Sequence, residues 1–518
     1  MHLVNKVGVI LMFSQTFGST NLGLNGVLIT VEVDIANGLP ALDIVGLPDT
    51  AVRESRERVR AAIKNSGFEF PSRRITINLA PADLKKDSSG LDLPIAIGIL
   101  AASGQIVWDS CEQYLFVSEL SLEGKLRGVS GILPMAIHCC DQGIKHMIVA
   151  PDNVQEALLV EGIKVYAPLT LAQLVLHLQS ITILPPESKQ PIANLLPGNN
   201  EDFADVQGQL VAKRALEIAA AGGHNLLMVG PPGSGKTMLA RRITSIMPAM
   251  SPQEALEVTK IYSIADLLHN HAGLVAVRPF RSPHHTISGA GMVGGGRIPK
   301  PGEVTLSHHG VLFLDELAEF PRMVLEGLRQ PVEDGQVTIS RVNASFSYPA
   351  KFILISAMNP CLCGFFGDSR QDCSCSNNDI KRYRKRISGP LLDRMDINVH
   401  VPRLEYSEIT NSMPTESSLV IGQRVAIARD IQYARLSKYN IFCNAHMGHK
   451  QIKSACHMTI GAQSLLEQAF SKMNLSARGY DRILKVARTI ADLAGVEELT
   501  EMHIAEAVHF RNNMQELY

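Results

Sequence analysis

The octapeptide Gly230-Pro231-Pro232-Gly233-Ser234-Gly235-Lys236-Thr237 constrains this chain more than any other stretch. It satisfies G-x-x-x-x-G-K-[ST] at every position. It follows an apolar run, Asn225–Val229 (NLLMV), and precedes a helical pattern, Met238–Ile246. Strand, glycine-rich loop and helix in that order form a P-loop. The glycines let backbone N–H groups close on phosphate oxygens, and the helix N-terminus favours their charge. In such a loop Lys236 reaches the β- and γ-phosphates and the Thr237 hydroxyl ligates Mg²⁺. ATP and Mg²⁺ are therefore the expected cofactors. A glycine-rich turn without a ligand would not explain the complete motif in this setting.

Two further strands carry polar tips. Val311–Leu314 (VLFL) ends in Asp315-Glu316. A buried parallel strand delivers such acids at its C-terminal edge, where α/β sheets bind ligands. Asp315 suits the Mg²⁺ site, and Glu316 suits polarising an attacking water. The run Lys351–Asn359 (KFILISAMN) delivers Asn359 just before Pro360. A lone Asn there is usually a turn former. Arg394 (in LLDRMD) and Arg478 (in SAR) come later. Either arginine alone would be an ordinary solvated residue. The whole order resembles the AAA+ ATPases, with Asn359 as sensor 1, Arg394 as arginine finger and Arg478 as sensor-2 arginine. A finger acts from a neighbouring subunit, so the resemblance implies an oligomer.

The chain divides by pattern. Residues 1–183 alternate strand and helix signals: strands at Val27–Val33, Ala41–Val45, Arg74–Leu79 and Lys145–Ala150, and helices at Thr50–Asn65 and Leu91–Ala102. Residues 184–204 hold four prolines and read as a linker. A second α/β pattern fills 205–402. Residues 403–518 read as helical, with candidates at Ser417–Ser437, Ala462–Lys472, Ser476–Gly495 and Thr500–Asn512.

Forty-nine Lys+Arg against fifty Asp+Glu exclude a generally basic nucleic-acid wrapper, but not a local basic surface. Lys6 and the run Val7–Phe13 make a poor secretory leader, and no apolar stretch approaches the ~20 residues of a membrane helix. Nine unevenly spaced cysteines fit a reducing compartment, so a cytoplasmic location is expected. Cys361-x-Cys363 and Cys373-x-Cys375 place four thiols in one short loop. Structural zinc, free thiols and redox use all remain open for them. His284-His285 and His308-His309 are adjacent pairs whose side chains are expected to point apart, which argues against a shared metal. Lys381–Arg386 (KRYRKR) is the densest basic run, fit either for DNA or for a helix near a subunit boundary.

Longer strings sharpen the family. Arg278–Glu316 (RPFRSPHHTISGAGMVGGGRIPKPGEVTLSHHGVLFLDE) is followed by LRQPVEDGQVTISR, ISAMNPCLCG and SGPLLDRMD. With NGLPALDIVGLPD (Asn37–Asp49) and DLPIAIGIL (Asp92–Leu100), they resemble the ComM/YifB family of magnesium-chelatase-like AAA+ ATPases. The likeness runs from about Met12 onward, leaving Met1 or Met12 as the start. It implies an α/β fold with a Lon-protease-like N-terminal domain, an AAA+ core and a helical C-terminal lid. It also implies a hairpin at Gln336–Arg341 and Ser345–Tyr348 projecting into a ring pore. VTISR resembles the hairpin of replicative MCM helicases, which makes Arg341 the candidate DNA-phosphate contact. Arg297 and Lys300, in the glycine-rich insert 294–302, would form a second pore loop. Solvated loops are the plain alternative. Alignment to the Lon proteolytic dyad places Gly90 at the nucleophile and Leu133 at the lysine, so the domain reads as non-proteolytic.

The resemblance implies a ring motor, a hexamer, that moves DNA branches during recombination, including integration of transforming DNA. Three alternatives stand beside it. One is a chelatase motor serving a porphyrin-metallating partner, expected to lack the Lon-like domain. The others are an ATP-dependent protease, which the missing dyad disfavours, and a non-hydrolysing scaffold, which Lys236 and Glu316 disfavour.

Overall fold

The computed structural model describes residues 12–86, 88–107, 113–189, 201–268, 273–296, 300–341, 344–368, 370–406, 408, 415–473 and 475–512. The chain forms two compact units, Met1–Asn194 with Ala255–Val275, and Leu195–Glu254 with Ala276–Tyr518. The sequence pattern alone does not reveal that Ala255–Val275 leaves the second α/β region to join the first unit. Nor does it reveal that the helical C-terminal region shares one unit with the P-loop core.

The first unit is built on a seven-stranded mixed sheet. Its spatial order is Ala41–Val45, Arg74–Ala80, Asn25–Ala36, Phe13–Leu22, Tyr114–Val117, His146–Val149 and Lys164–Tyr166. Phe13–Leu22 pairs antiparallel with Asn25–Ala36 and parallel with Tyr114–Val117. The helix Asp92–Ala102 (DLPIAIGILAA) is buried at all but one residue. The strand Phe13–Leu22 meets it through small polar residues: Ser14 Oγ donates to Gly98 O at 2.6 Å and Thr16 Oγ1 to Pro94 O at 2.9 Å. A Cβ on Gly18 would stand 2.7 Å from Leu91 Cδ2, so glycine sets the approach. The same helix opens on buried Asp92, which takes a forked pair of bonds from Arg58 at 2.8 and 3.1 Å. Burial pushes Asp92 up to about 6, against the pull of Arg58.

The second unit holds a five-stranded parallel sheet in the order Phe280–Arg281, Val311–Leu314, Ile353–Met358, Leu226–Val229, Ile397–His400. The four longer strands of this sheet are almost wholly buried, as continuous apolar runs in parallel sheets are. Helices Leu210–Gly222 and Ser418–Leu436 meet in this core: Gln432 Nε2 donates to Ala221 O at 3.1 Å and Arg429 Nη2 to Ala220 O at 2.8 Å. The hairpin Gln336–Arg341/Ala344–Pro349 pairs from Gln336↔Pro349 to Arg341↔Ala344. Among the described residues no helix is long and apolar enough to cross a membrane.

Candidate functional site

The P-loop strand Leu226–Val229 lies between Ile353–Met358 and Ile397–His400, and Val229 pairs with Met358. That register sets Asn359 beside Gly230. One strand further out, Leu314 pairs with Ser356, so Asp315 emerges at the same edge. Lys236 opens the helix Lys236–Ile246 and folds back over the loop. Its Nζ donates to Gly230 O at 2.7 Å, Pro231 O at 2.9 Å and Asn359 Oδ1 at 3.3 Å. Burial lowers its pKa to about 8, while Asp315 and Glu316 pull the other way. Thr237 Oγ1 donates to Asp315 Oδ2 at 2.6 Å. Lys236, Thr237, Asp315 and Asn359, read separately from sequence, thus form one group.

The loop fits a phosphate chain. Gly233 and Gly235 sit at φ +77° and +87°, where glycine is favoured. A Cβ on Gly230 would collide with the Val401 carbonyl oxygen. Ser234 Oγ is buried with no protein partner, and Lys236 Nζ donates to the loop's own carbonyls. The Thr237 and Asp315 oxygens are the hard ligands that Mg²⁺ prefers.

Glu316 adopts φ +52°, a left-handed conformation that costs a non-glycine residue about 1 kcal/mol or more and recurs at active sites. Its Oε2 lies 3.5 Å from His285 Nδ1. Nothing in the spacing of the sequence signals this partner. Adjacent positions predict that the side chains of both histidine pairs point apart. Instead the rings of His284 and His285 lie 4.1 Å apart between centroids, and those of His308 and His309 3.9 Å. Strand alternation does not apply, because these residues occupy irregular backbone and turns, with His309 at φ +55°.

Arg394 and Arg478 form a second group. Arg394 Nη1 donates to Pro390 O at 2.7 Å, and Nη2 pairs with Glu333 Oε2. Arg478 Nη2 lies 3.8 Å from Glu333 Oε1. Their shared polar partner is Glu333, not the chain's own P-loop.

The four loop thiols converge. Cys361 Sγ lies 3.3 Å from Cys363 Sγ and 3.6 Å from Cys373 Sγ, and Cys363 and Cys373 are 3.5 Å apart. All four sulfurs, Cys375 included, lie within 4.8 Å of one another. Sulfurs about 2.3 Å from a tetrahedral zinc stand about 3.8 Å apart, whereas a disulfide needs about 2.05 Å. The loop abuts the nucleotide site: a Cβ on Gly364 would meet Pro232 Cδ at 2.7 Å, and Arg403 joins Asp368 at 3.3 Å to Pro232 O at 3.5 Å.

Of the DNA candidates, Lys300 is exposed on the short strand Lys300–Pro301, paired with Gly294–Gly295. Arg341 ends its hairpin strand, while Arg297 and the hairpin tip Val342-Asn343 lie outside the described residues. In the basic run, Tyr383 is buried, so its ring is no exposed base-stacking platform. Arg322, Arg382, Lys385 and Arg386 line a cavity of about 400 Å³, where Arg386 pairs with Glu319 at 2.8 Å. In the first unit, Leu133 is fully buried, and Gly90 has no room to spare, its Cβ position 3.1 Å from Ser88 Oγ.

The fold and this geometry define a P-loop ATPase of the AAA+ class, with a second α/β domain before it. Family models agree: "Magnesium chelatase, subunit ChlI" matches residues 202–409, "Subunit ChlI of Mg-chelatase" matches 31–153, and "Magnesium chelatase, subunit ChlI C-terminal" matches 415–511. The chain is 44% identical over 499 residues to competence protein ComM of Haemophilus influenzae, covering 96% of each chain. It is 45% identical over 491 residues to the uncharacterized protein YifB of Escherichia coli K12, covering 95% of each. It belongs to the ComM/YifB family of magnesium-chelatase-like ATPases. Lon protease 2 of Bacillus subtilis is 32% identical over 144 residues, 26% of each chain, in keeping with a Lon-like first domain. Membership implies ATP hydrolysis with Mg²⁺. One expectation loses its force: the first domain cannot separate this family from chelatase motors, since the model matching 31–153 itself bears the chelatase name.

Proposed function

We propose that the chain is the subunit of a ring, a hexamer, that uses ATP to drive DNA branch migration in homologous recombination, including integration of transforming DNA. The observation that carries this reading is the division of the site. Lys236, Thr237, Asp315 and Asn359 gather at one sheet edge, while Arg394 and Arg478 gather apart on Glu333. A set of arginines unspent on the chain's own P-loop is what a subunit-boundary ATPase requires.

Mg²⁺–ATP supplies the transferable phosphoryl group and the charge neutralisation that its hydrolysis needs. Around it, Lys236 exchanges its carbonyl acceptors for β- and γ-phosphate oxygens. Thr237 and Asp315 hold the cation. Glu316, oriented by His285, takes the proton of the attacking water, and the Asn359 amide positions that water. Arg394 of the adjoining subunit meets the charge that develops on the phosphoryl oxygens. The hairpin whose first strand ends at Arg341, with Lys300 and Arg297, meets DNA phosphate in the ring pore. The four cysteines hold a structural Zn²⁺ that braces the loop behind Pro232.

A porphyrin-metallating role is the second reading, since the matching models carry the chelatase name. A "Magnesium-chelatase 67 kDa subunit" of Chlorobaculum parvum is 27% identical over only 30% of this chain, against 96% for the competence protein. The test is a branched DNA substrate: the DNA reading requires ATP-dependent branch movement that Glu316→Gln abolishes. Full ATPase activity with a stationary branch would sink it.

A further inference from the structure

We propose that Glu333 is a positioning residue for ATP hydrolysis. It holds Arg394 and Arg478 until displacement of the hairpin that follows it releases them to a neighbouring subunit's nucleotide. The inference rests on the reading that Arg394 acts across a subunit boundary and that the hairpin meets DNA.

Both oxygens of Glu333 are engaged, and by different arginines: Oε2 by Arg394 and Oε1 by Arg478. The Arg394 side chain is only 10% exposed, so its charge needs an acceptor, whereas Arg478 is 70% exposed and reaches outward. A phosphate oxygen is the same kind of acceptor as a carboxylate oxygen. Glu333 and a γ-phosphate therefore compete for the guanidinium donors that Glu333 now engages.

The backbone beneath Arg394 is held on both sides. Asp393 pairs with Arg511 at 3.1 Å, and Asp396 lies 3.7 Å from Arg482 and 3.4 Å from His224. Asn225 Nδ2 donates to Arg394 O at 3.2 Å. Arg482 stands one helical turn beyond Arg478 on the helix Ala477–Leu493, so one helix face braces the loop and carries the second arginine. What is left to change is where the two guanidiniums point; Glu333 is the partner they share, with Pro390 O holding the other Nη of Arg394.

Glu333 is tied closely to the hairpin. It lies in the helix Arg329–Asp334, which ends at Gly335, and the first hairpin strand begins at Gln336. Gly335 N donates to Pro331 O at 2.9 Å, and Ala350 N, just past the second strand, donates to Gly335 O at 2.8 Å. Both ends of the hairpin therefore meet at one residue, two places from Glu333. Only Asp334 and Gly335 separate Glu333 from the first hairpin strand, so the proposed route from hairpin to carboxylate is short.

The experiment is steady-state ATPase kinetics with and without single-stranded DNA, on wild type, Glu333→Gln, Arg394→Ala and the double variant. Glu333→Gln is expected to raise kcat without DNA several-fold, toward the DNA-stimulated value of wild type. KM stays unchanged and the stimulation ratio falls toward one. The double variant is expected to fall to the Arg394→Ala rate. Glu333→Asp, one methylene shorter, moves the same way by less and covers the case in which the glutamine variant fails to fold. An inactive Arg394→Ala with wild-type or lower DNA-free kcat in both Glu333 variants overturns the role of Glu333 alone. A fully active Arg394→Ala overturns the boundary reading and the inference with it. Release of the arginines with unchanged DNA stimulation overturns the link to the hairpin.

Discussion

The protonation of Lys236 makes nucleotide affinity depend on pH in a calculable way. The side chain is 8% exposed, and its ammonium is shared between two carbonyls and one amide oxygen. Burial brings its pKa from 10.5 to about 8, a penalty on the charged form of about 3 kcal/mol. Phosphate oxygens need the ammonium as donor and restore its charge on binding. The apparent Kd then scales inversely with the fraction protonated in the free protein. That scaling weakens binding about tenfold from pH 7 to pH 9, with about half a proton taken up at pH 8. The sign for folding is opposite. A lysine whose folded pKa is depressed binds more protons when unfolded, so its contribution favours the nucleotide-free fold increasingly as pH rises through 8 toward 10.5. The assay is titration with a non-hydrolysable ATP analogue at fixed free Mg²⁺, backed by calorimetry in buffers of different ionisation enthalpy. Lys236→Arg stays charged throughout and should show a flat profile over the same range. A wild-type Kd that stays constant from pH 7 to 9, with no proton uptake, would refute the reasoning.

Glu316→Gln should lower kcat by roughly 10²–10⁴ while leaving nucleotide binding intact, measured by phosphate release and analogue titration. His285→Ala, which frees the Glu316 carboxylate, should lower kcat by a smaller factor with KM unchanged, separable from Glu316→Gln by the same two measurements. Elemental analysis should find one zinc per chain, and Cys363→Ser should remove it and weaken analogue binding, because the loop bears on Pro232. Arg341→Ala should weaken DNA binding about equally across sequences and flatten the salt dependence by about one phosphate contact per subunit engaged.

The nucleotide site was legible because each part is a short run whose neighbours in sequence fix its place. The P-loop strand, the acidic strand and the Asn-tipped strand end at one sheet edge once they pair in parallel. The strand Phe13–Leu22 was not legible, since its buried residues are Thr16, Gly18, Ser19 and Thr20, on both faces, rather than large apolar ones. The Thr16 hydroxyl takes its partner from a helix 78 positions away and the Ser19 hydroxyl from the neighbouring strand. The pairing of His285 with Glu316 was hidden by applying strand alternation to residues that lie outside any strand. The joining of Arg394 and Arg478 on Glu333 was hidden for another reason. An exposed glutamate gives no local signal of which distant arginine it will meet, here 61 and 145 positions away. The excursion of Ala255–Val275 into the first unit was likewise invisible to a reading in chain order.

The central claim is a ring that closes around DNA with nucleotide at its subunit boundaries. Particle mass and images of the Glu316→Gln protein, recorded with ATP and a branched DNA, test it most directly. The account predicts closed six-membered rings with DNA through the pore, Arg394 of one subunit beside the P-loop of the next, and dissociation when nucleotide is withdrawn. Single subunits or dimers that bind ATP fully, or rings with DNA only on their outer face, would contradict it.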